Sequence, residues 1–410
     1  MSAHAQSSGT DGIMKDQAAH RRFILSLGAI IALGPLSIDM YLPSLPAIGR
    51  ALAADAASVQ MSVSAYFAGL AIGQLVYGPI TDRFGRKKPL LFGLVLFSIA
   101  SFGCALAGNI DQLIAFRGLQ ALGGCAGIVV SRALVRDHYA GNEMARVLSS
   151  LMLVMGVAPV LAPMLGGKLQ LWFGWNSIFL LLAVFGVACL LITAFRIAEP
   201  QRERAPPLSV AGIAQDYVRI LKHRRFMGYS LAGACGQAGM FSYITASPFV
   251  FIDYYGLAPD RYGMLFGANA CGLILCTQLN ALLLRRLRAE KVMRGALRVH
   301  LFGAAVMAVS AFTGLGGIWG VVIPLIVVSS CIGFTFPNAQ AAAMEPFGGR
   351  AGTAAAMLGT QQFVLAGFSS LVVGQLHTPG ASGMAIAIFC WSLLAQVALR
   401  VLVKPPQQAV

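Results

Sequence analysis

Charge is what this sequence has least of. Only 11% of its 410 residues are charged, acids number 15 against 30 Lys and Arg, and 57% of the chain is hydrophobic. The mean hydropathy is +0.74. A soluble domain has about a quarter of its residues charged, so this composition excludes one and points to a polytopic membrane protein. The net charge of +15 is scattered between apolar runs and gathers into no basic domain or tail, which argues against a nucleic-acid partner. The eight cysteines (104, 125, 189, 235, 271, 276, 331, 390) contain no C-x-x-C pair and all fall inside apolar runs. They read as small packing residues, with no metal or disulfide chemistry. The six histidines (4, 20, 138, 223, 300, 377) are read at or beyond helix ends. With no nucleophile and base and no metal set inside the apolar runs, an enzyme is not expected and no cofactor is implied. A cleavable secretory signal is also missing, because the first twenty residues are polar and the first apolar run is long and followed by many more.

What the chain does have is apolar runs of membrane-spanning length, about 20 residues each. They give an all-α membrane protein of twelve transmembrane helices: 22–45, 59–80, 88–107, 111–136, 145–169, 174–196, 225–251, 261–284, 294–314, 318–340, 352–375 and 380–402. Alternate connections are rich in Lys and Arg, whereas the others hold only Arg50, Lys168 and Arg261. By the positive-inside rule both termini are cytoplasmic. The longest polar interruption carries Pro200, Pro206 and Pro207 and divides the chain into two six-helix bundles. The expected units are a disordered tail (1–21), an N-terminal bundle (22–198), a linker (199–224), a C-terminal bundle (225–403) and a short tail (404–410). A two-bundle fold is complete as a monomer.

One short turn organises the rest. Gly78 to Lys88 reads Gly-Pro-Ile-Thr-Asp-Arg-Phe-Gly-Arg-Lys-Lys and joins two candidate helices on the cytoplasmic side. Gly78 and Gly85 suit a sharp reversal, and Asp82 is a lone acid among Arg83, Arg86, Lys87 and Lys88 that needs a partner. The spacing resembles the loop signature of the major facilitator superfamily, between its second and third transmembrane helices. A degenerate echo, Asn280-Ala-Leu-Leu-Leu-Arg-Arg-Leu-Arg, keeps Arg285 and Arg288 but loses the acid and both glycines. Such an echo fits the parallel repeat of facilitator-type transporters. Arg136 and Asp137 end the fourth helix level with Asp82. In that family such a cluster implies a gate that locks the outward-facing state.

Few ionisable groups lie inside the spans: Asp39 in the first helix, Arg117 in the fourth, and Asp253 near the outer end of the seventh. Intramembrane charge is costly unless paired or wet, so each is a functional candidate. Asp39 lies roughly 26 Å from the inner Arg22 and Arg117 roughly 9 Å from the outer Asp111, at 1.5 Å per residue. Both therefore sit in the outer half of the membrane at similar depth. A carboxylate that alternates between a cation and water has a protonation state that follows conformation, which couples proton movement to alternating access. Arg117 cannot deprotonate, so it is assigned the fixed countercharge and Asp39 the proton carrier. A static pair that only fixes packing is the alternative.

Polar and aromatic residues within the spans are candidate substrate contacts: Tyr41, Gln120, Gln237, Phe241, Tyr243, Asn338 and Gln361, set in apolar surroundings that suit an uncharged drug-sized ligand. In the fifth helix Pro159 and Pro163 kink one face, and Gly166 and Gly167 admit a neighbour. Gly156-Val-Ala-Pro-Val-Leu-Ala-Pro-Met-Leu-Gly-Gly resembles the superfamily's antiporter signature, with Ala162 in place of its first glycine. Asp39-Met-Tyr-Leu-Pro-Ser, Gly73-Gln-Leu-Val-Tyr-Gly-Pro, Ala158-Pro-Val-Leu-Ala-Pro and Gly239-Met-Phe-Ser-Tyr-Ile-Thr-Ala-Ser-Pro-Phe-Val together resemble the bicyclomycin-resistance (Bcr/CflA) branch of drug exporters. That resemblance implies proton-driven export of unrelated small molecules across the bacterial inner membrane, the proton gradient being the only energy source. Some drug exporters of the superfamily carry a second acid two turns before this one. Here that position is Ile31, so a two-carboxylate scheme does not transfer. Export of a metabolite such as an amino acid, with drug resistance incidental, fits the same residues.

Overall fold

The apolar runs fold as helices, and every element among the described residues is helical. The computed structural model describes residues 7–139, 141–199, 210–376, 378 and 380–403. The first half comprises α1 (Ser7–Asp39), a 3-10 turn (Leu42–Ser44), α2 (Leu45–Ala51), α3 (Ala56–Phe84), α4 (Lys87–Ala105), α5 (Ile110–His138), α6 (Gly141–Phe173) and α7 (Asn176–Arg196). After α8 (Val210–Lys222) come α9 (Arg224–Pro248), a π-helical turn (Phe249–Tyr254), α10 (Pro259–Leu283), α11 (Ala289–Thr313) and α12 (Gly317–Met344). A 3-10 segment (Glu345–Arg350), α13 (Ala351–Gln375) and α14 (Ser382–Leu402) complete the chain.

Among the described residues, 11 segments are long and apolar enough to cross a membrane. The twelfth is α9. Its 25 residues suffice in length, but Ser230, Gly233, Gly236, Gly239, Ser242 and Thr245 lower its hydropathy. All six are inside the protein, so α9 meets few lipid chains and has no need of an apolar surface all round.

The two bundles repeat each other contact for contact. In the first, α3 packs on α5, α4 on α5 and α7, and α1 on α5, α6 and α7. In the second, α10 packs on α12, α11 on α12 and α14, and α9 on α12, α13 and α14. The bundles meet through α3 against α13 and α6 against α10, a pair related by the same repeat. Small residues make the close approaches: a Cβ on Gly69 would meet the Gly118 carbonyl, and one on Gly123 the backbone of Gly93 and Phe97. This is how helices associate where lipid removes the hydrophobic drive between them.

Several expectations are corrected. The first helix was expected over 22–45, but it ends at Asp39 and the chain restarts as the 3-10 turn and again as α2. Pro43 and Pro46 cannot donate to the preceding turn and serve instead at the first positions of new helical segments. The 1–21 tail is helical from Ser7; residues 1–6 lie outside the described residues, as do 200–209, with the three linker prolines, and the 404–410 tail. The 199–224 linker contains a helix, α8, whose Tyr217 and Ile220 pack on the C-terminal bundle, Ile220 being fully buried. His300 is not at a helix end: it is buried midway along α11, its Nδ1 2.8 Å from Ser392 Oγ.

A tight junction lies at Gly166 of α6, against the residue that follows α1 within the N-terminal bundle. A Cβ there would strike the Met40 carbonyl and Cα, whereas one on Gly78 meets nothing. Gly166→Ala is therefore expected to cost about 1–3 kcal/mol by overpacking and to lower the apparent Tm in detergent by a few degrees, with Gly78→Ala near wild type. Indistinguishable melting of the two variants would show that α6 has room to retreat from Met40.

Candidate translocation site

Asp39 is the last residue of α1 and is 5% exposed; Arg117, two turns into α5, is 0% exposed. The guanidinium lies 4.2 Å from the Tyr66 ring centroid, 4.5 Å from Tyr41 and 5.8 Å from Phe179. Its Nη1 donates to the Ser37 carbonyl at 3.0 Å and to Gln120 Oε1 at 2.5 Å. Gln120 in turn donates to Ser101 Oγ at 2.8 Å, and the Tyr41 and Ser62 hydroxyls share a hydrogen bond at 2.5 Å. Desolvated ring faces stabilise a cation by up to about 2 kcal/mol each. Ser37 is one of the last residues of α1, where a cation also complements the helix dipole. Arg117 thus fastens the end of α1 to α5.

The structure brings Asp39 and Arg117 to the same helix end but does not pair them. Among the described residues no cation makes an ion pair with Asp39. The 3-10 turn that follows it packs on α6 of the first bundle and on α9 and α10 of the second, so Asp39 sits close to where the two bundles meet. Tyr262 shares a hydrogen bond with Ser247 Oγ at 2.8 Å, and Tyr243 stacks on Phe266 at 5.5 Å with its hydroxyl buried and unpartnered among the described residues.

The other predicted substrate contacts divide in two. Tyr41 and Gln120 serve the Arg117 cage, and Asn338 is a strut within the C-terminal bundle, donating to Asn280 Oδ1 and the Phe334 carbonyl, each at 2.8 Å. Gln237 and Gln361, like Tyr243, keep a buried polar atom with no partner among the described residues. The amide of Gln361 otherwise donates only to Met227 Sδ at 3.2 Å. Phe241 meets Phe67 of α3 at 4.6 Å, and Phe67 also stacks near Phe363 of α13 at 6.5 Å. Phe67 and Phe363 were missed because an aromatic in an apolar run carries no mark of which side faces protein. In α6, Pro159 and Pro163 are accommodated in an unbroken helix, while Gly166 and Gly167 lie against the backbones of Met40 and Pro259.

At the face that carries the 78–88 turn, Arg86 is 2% exposed. Its Nη1 donates to Asp82 at 2.9 Å and to Thr81 Oγ1 at 2.8 Å, and its Nε donates to Asp137 at 2.8 Å. Burial pulls the guanidinium pKa down, but Asp137 and then Asp82 outweigh it and hold the group above the usual arginine range. The backbone N–H groups of Arg86 and Lys87 donate to Glu199 at 2.5 and 2.8 Å. Gly85, at φ +83°, leaves the space that Glu199 fills. Sequence reasoning missed Glu199, which its level with the turn would have flagged. Arg83 and Arg136 are exposed, and Arg136 Nη1 reaches within 3.8 Å of where a Cβ on Gly352 would sit, at the start of α13. Gly78 meets no such constraint. At the opposite face Arg50 of α2 donates to Asp253 at 3.2 Å, an exposed ion pair joining the bundles.

The sequence matches the Major Facilitator Superfamily over residues 27–370, and the chain belongs to it. It is 36% identical over 381 residues to the uncharacterized MFS-type transporter YdgK of Bacillus subtilis (strain 168), covering 92% of this chain and 94% of that one. It is 30% identical over 378 residues to a bicyclomycin resistance protein homolog of Haemophilus influenzae, covering 90% and 93%. A chloramphenicol resistance protein of Pseudomonas aeruginosa is 27% identical over 377 residues, covering 91% and 88%. Its kin thus place the chain in the drug-efflux branch of the superfamily, as a membrane transporter and not an enzyme. In fold it resembles a D-xylose-proton symporter at a TM-score of 0.73 and 16% identity, over 93% of this chain and 98% of that one. It likewise resembles a bacterial homolog of the human lysosomal transporter Spinster at 0.74 and 14%, over 95% and 99%.

The Arg86–Asp137 contact, with side chains 2% and 4% exposed, is a buried pair. Arg86→Gln and Asp137→Asn are each expected to cost about 3–5 kcal/mol by stranding the partner's charge, and the double variant to cost much less than their sum. A thermal double-mutant cycle on the purified protein measures this, and additive losses would mean that the contact carries no coupling.

Proposed function

We propose that this transporter exports uncharged or weakly polar drug-sized molecules from the cytoplasm across the bacterial inner membrane, in exchange for protons carried by Asp39. The observation that carries the reading is a buried carboxylate at the bundle interface whose nearby arginine is already engaged elsewhere. Because Arg117 is held by Ser37, Gln120 and three rings, the charge state of Asp39 is left to its contact with water and with the opposite bundle. When the bundles part on the outer side, water reaches Asp39 and can supply a proton. When they close there, the neutral acid tolerates the apolar site and the rearrangement. Opening to the cytoplasm and arrival of substrate favour release of the proton inward. Arg117 then acts as a positioning residue that fixes the end of α1.

Substrate recognition rests on Gln237, Tyr243 and Gln361, whose free buried polar atoms invite a ligand with complementary hydrogen-bonding groups, beside the apolar wall of Phe67, Phe241 and Phe363. The basic face with the 78–88 turn is cytoplasmic by the positive-inside rule, which puts both termini there too. No cofactor is required, since the proton gradient supplies the work.

The test is substrate-driven proton release from acidified inside-out vesicles, with bicyclomycin, chloramphenicol-type drugs and cysteine added in turn. Wild type is expected to release protons with at least one drug and Asp39→Asn with none, at equal protein levels. Equal release by both would remove Asp39 as carrier. Transport by wild type without proton release would remove antiport, and release by cysteine alone would make the chain a metabolite exporter.

A further inference from the structure

The two bundles carry equivalent short connections, one between α3 and α4 and one between α10 and α11, and the second has lost the chemistry of the first. In the first, Arg86 is buried and answered by Asp82 and Asp137, and Glu199 takes the adjoining backbone N–H groups. In the second, Arg285, Arg286 and Arg288 are all exposed, and among the described residues none of them makes an ion pair. Glu290 is the nearest acid in sequence, and it is taken by Arg294 through two hydrogen bonds of 2.7 and 3.0 Å. The arginines alternate with apolar side chains that are also uncovered: Leu283 is 40% exposed, Leu284 39% and Leu287 37%.

The connection lies at the same face as the 78–88 turn. The start of α10 packs on Gly167 near the end of α6, and Asp137 at the end of α5 binds Arg86, so α10 must finish on the Arg86 side. Leucines on the last turn of a membrane helix, followed at once by arginines, lie at the depth where acyl chains give way to phosphates. Guanidinium groups match phosphate as two-pronged donors. A water-borne acidic partner would answer the arginines but leave the leucines uncovered, whereas a phospholipid answers both.

We propose that the turn between α10 and α11 holds the headgroup of an anionic phospholipid through Arg285, Arg286 and Arg288, with Leu283, Leu284 and Leu287 against its acyl chains. The repeat that locks the first bundle internally thereby fastens the second bundle to the membrane.

The experiment titrates phosphatidylglycerol onto the full chain in neutral detergent and counts retained lipid by native mass spectrometry. The variant R285Q/R286Q/R288Q is compared with R219Q/K222Q/R224Q, which removes as many cations from the α8–α9 region. At roughly fivefold per cation, the first is expected to weaken retention about a hundredfold, and the second to stay within a fewfold of wild type. In the unaltered protein, amide exchange over 282–290 is expected to be slower in nanodiscs containing phosphatidylglycerol than in phosphatidylcholine alone. Unchanged retention in the first variant, equal loss in both variants, no difference in exchange, or displacement of the lipid by inorganic phosphate would each overturn the proposal.

Discussion

A permanent cation buried in a membrane protein is costly to hold, and the way Arg117 is held sets the terms for the rest of this molecule. Three aromatic faces, an amide oxygen and a backbone carbonyl surround it, both hydrogen bonds being made by Nη1, while Nε and Nη2 have no hydrogen-bond partner among the described residues. None of these partners can lose or gain a proton near neutral pH, so the cage is indifferent to pH. That indifference has two consequences. The end of α1 is pinned to α5 in all protonation states, and Asp39, two residues beyond the pinned carbonyl, is left as a titratable group with no ion-pair partner among the described residues. A direct Asp39–Arg117 ion pair would have held the carboxylate charged and idle.

Rigid bundles need something to move against, and the interface between them is built from unlike materials. Backbone contacts at Gly167 and Gly263 bring α6 close to Pro259 and the start of α10, aromatic rings of Phe67, Phe241 and Phe363 fill the middle, and an exposed Arg50–Asp253 pair joins the bundles at the face opposite the 78–88 turn. An exposed ion pair contributes about 0–1 kcal/mol, and apolar contacts without hydrogen bonds give up little directionality when they slide. Within each bundle, by contrast, buried hydrogen bonds such as Arg86–Asp137 and Asn338–Asn280 resist any change. The weak terms lie between the bundles and the strong ones inside them, which is the distribution that alternating access requires.

Much of this was legible from the chain. Apolar runs and the placement of cations marked the helices and their sidedness, because the bilayer imposes span length and charge asymmetry directly on sequence. Asp39, Arg117 and the 78–88 turn stood out because charge within or between spans is rare. What stayed hidden depends on direction around a helix. Arg117 was read as the partner of Asp39 from equal depth, but depth says nothing about azimuth, and the guanidinium points to Tyr41, Tyr66 and Phe179. Asn338 and Gln120 were read as candidate substrate contacts, yet each has internal partners. Glu199 was overlooked because its role comes from Gly85, 114 positions earlier, whose missing side chain makes the space. The break after Asp39 was foreshadowed by Pro43 and Pro46, and hydropathy alone hid it.

The repeat explains why the two halves are alike in packing and unlike in chemistry. Matched helix pairs recur in both bundles because small-residue packing and span length leave few ways to assemble six helices. Nothing in that constraint preserves polar residues, so each half was free to specialise. The first bundle kept the carboxylate, the caged arginine and the internally satisfied turn. The second kept the amide oxygens of Gln237 and Gln361 and the Tyr243 phenol, on α9 and α13, without partners among the described residues, and a turn whose arginines make no ion pair there. On the proposed exchange of a proton for varied ligands this separation is useful, because the charged chemistry stays in one half and the weakly polar, unpartnered surface lies in the other.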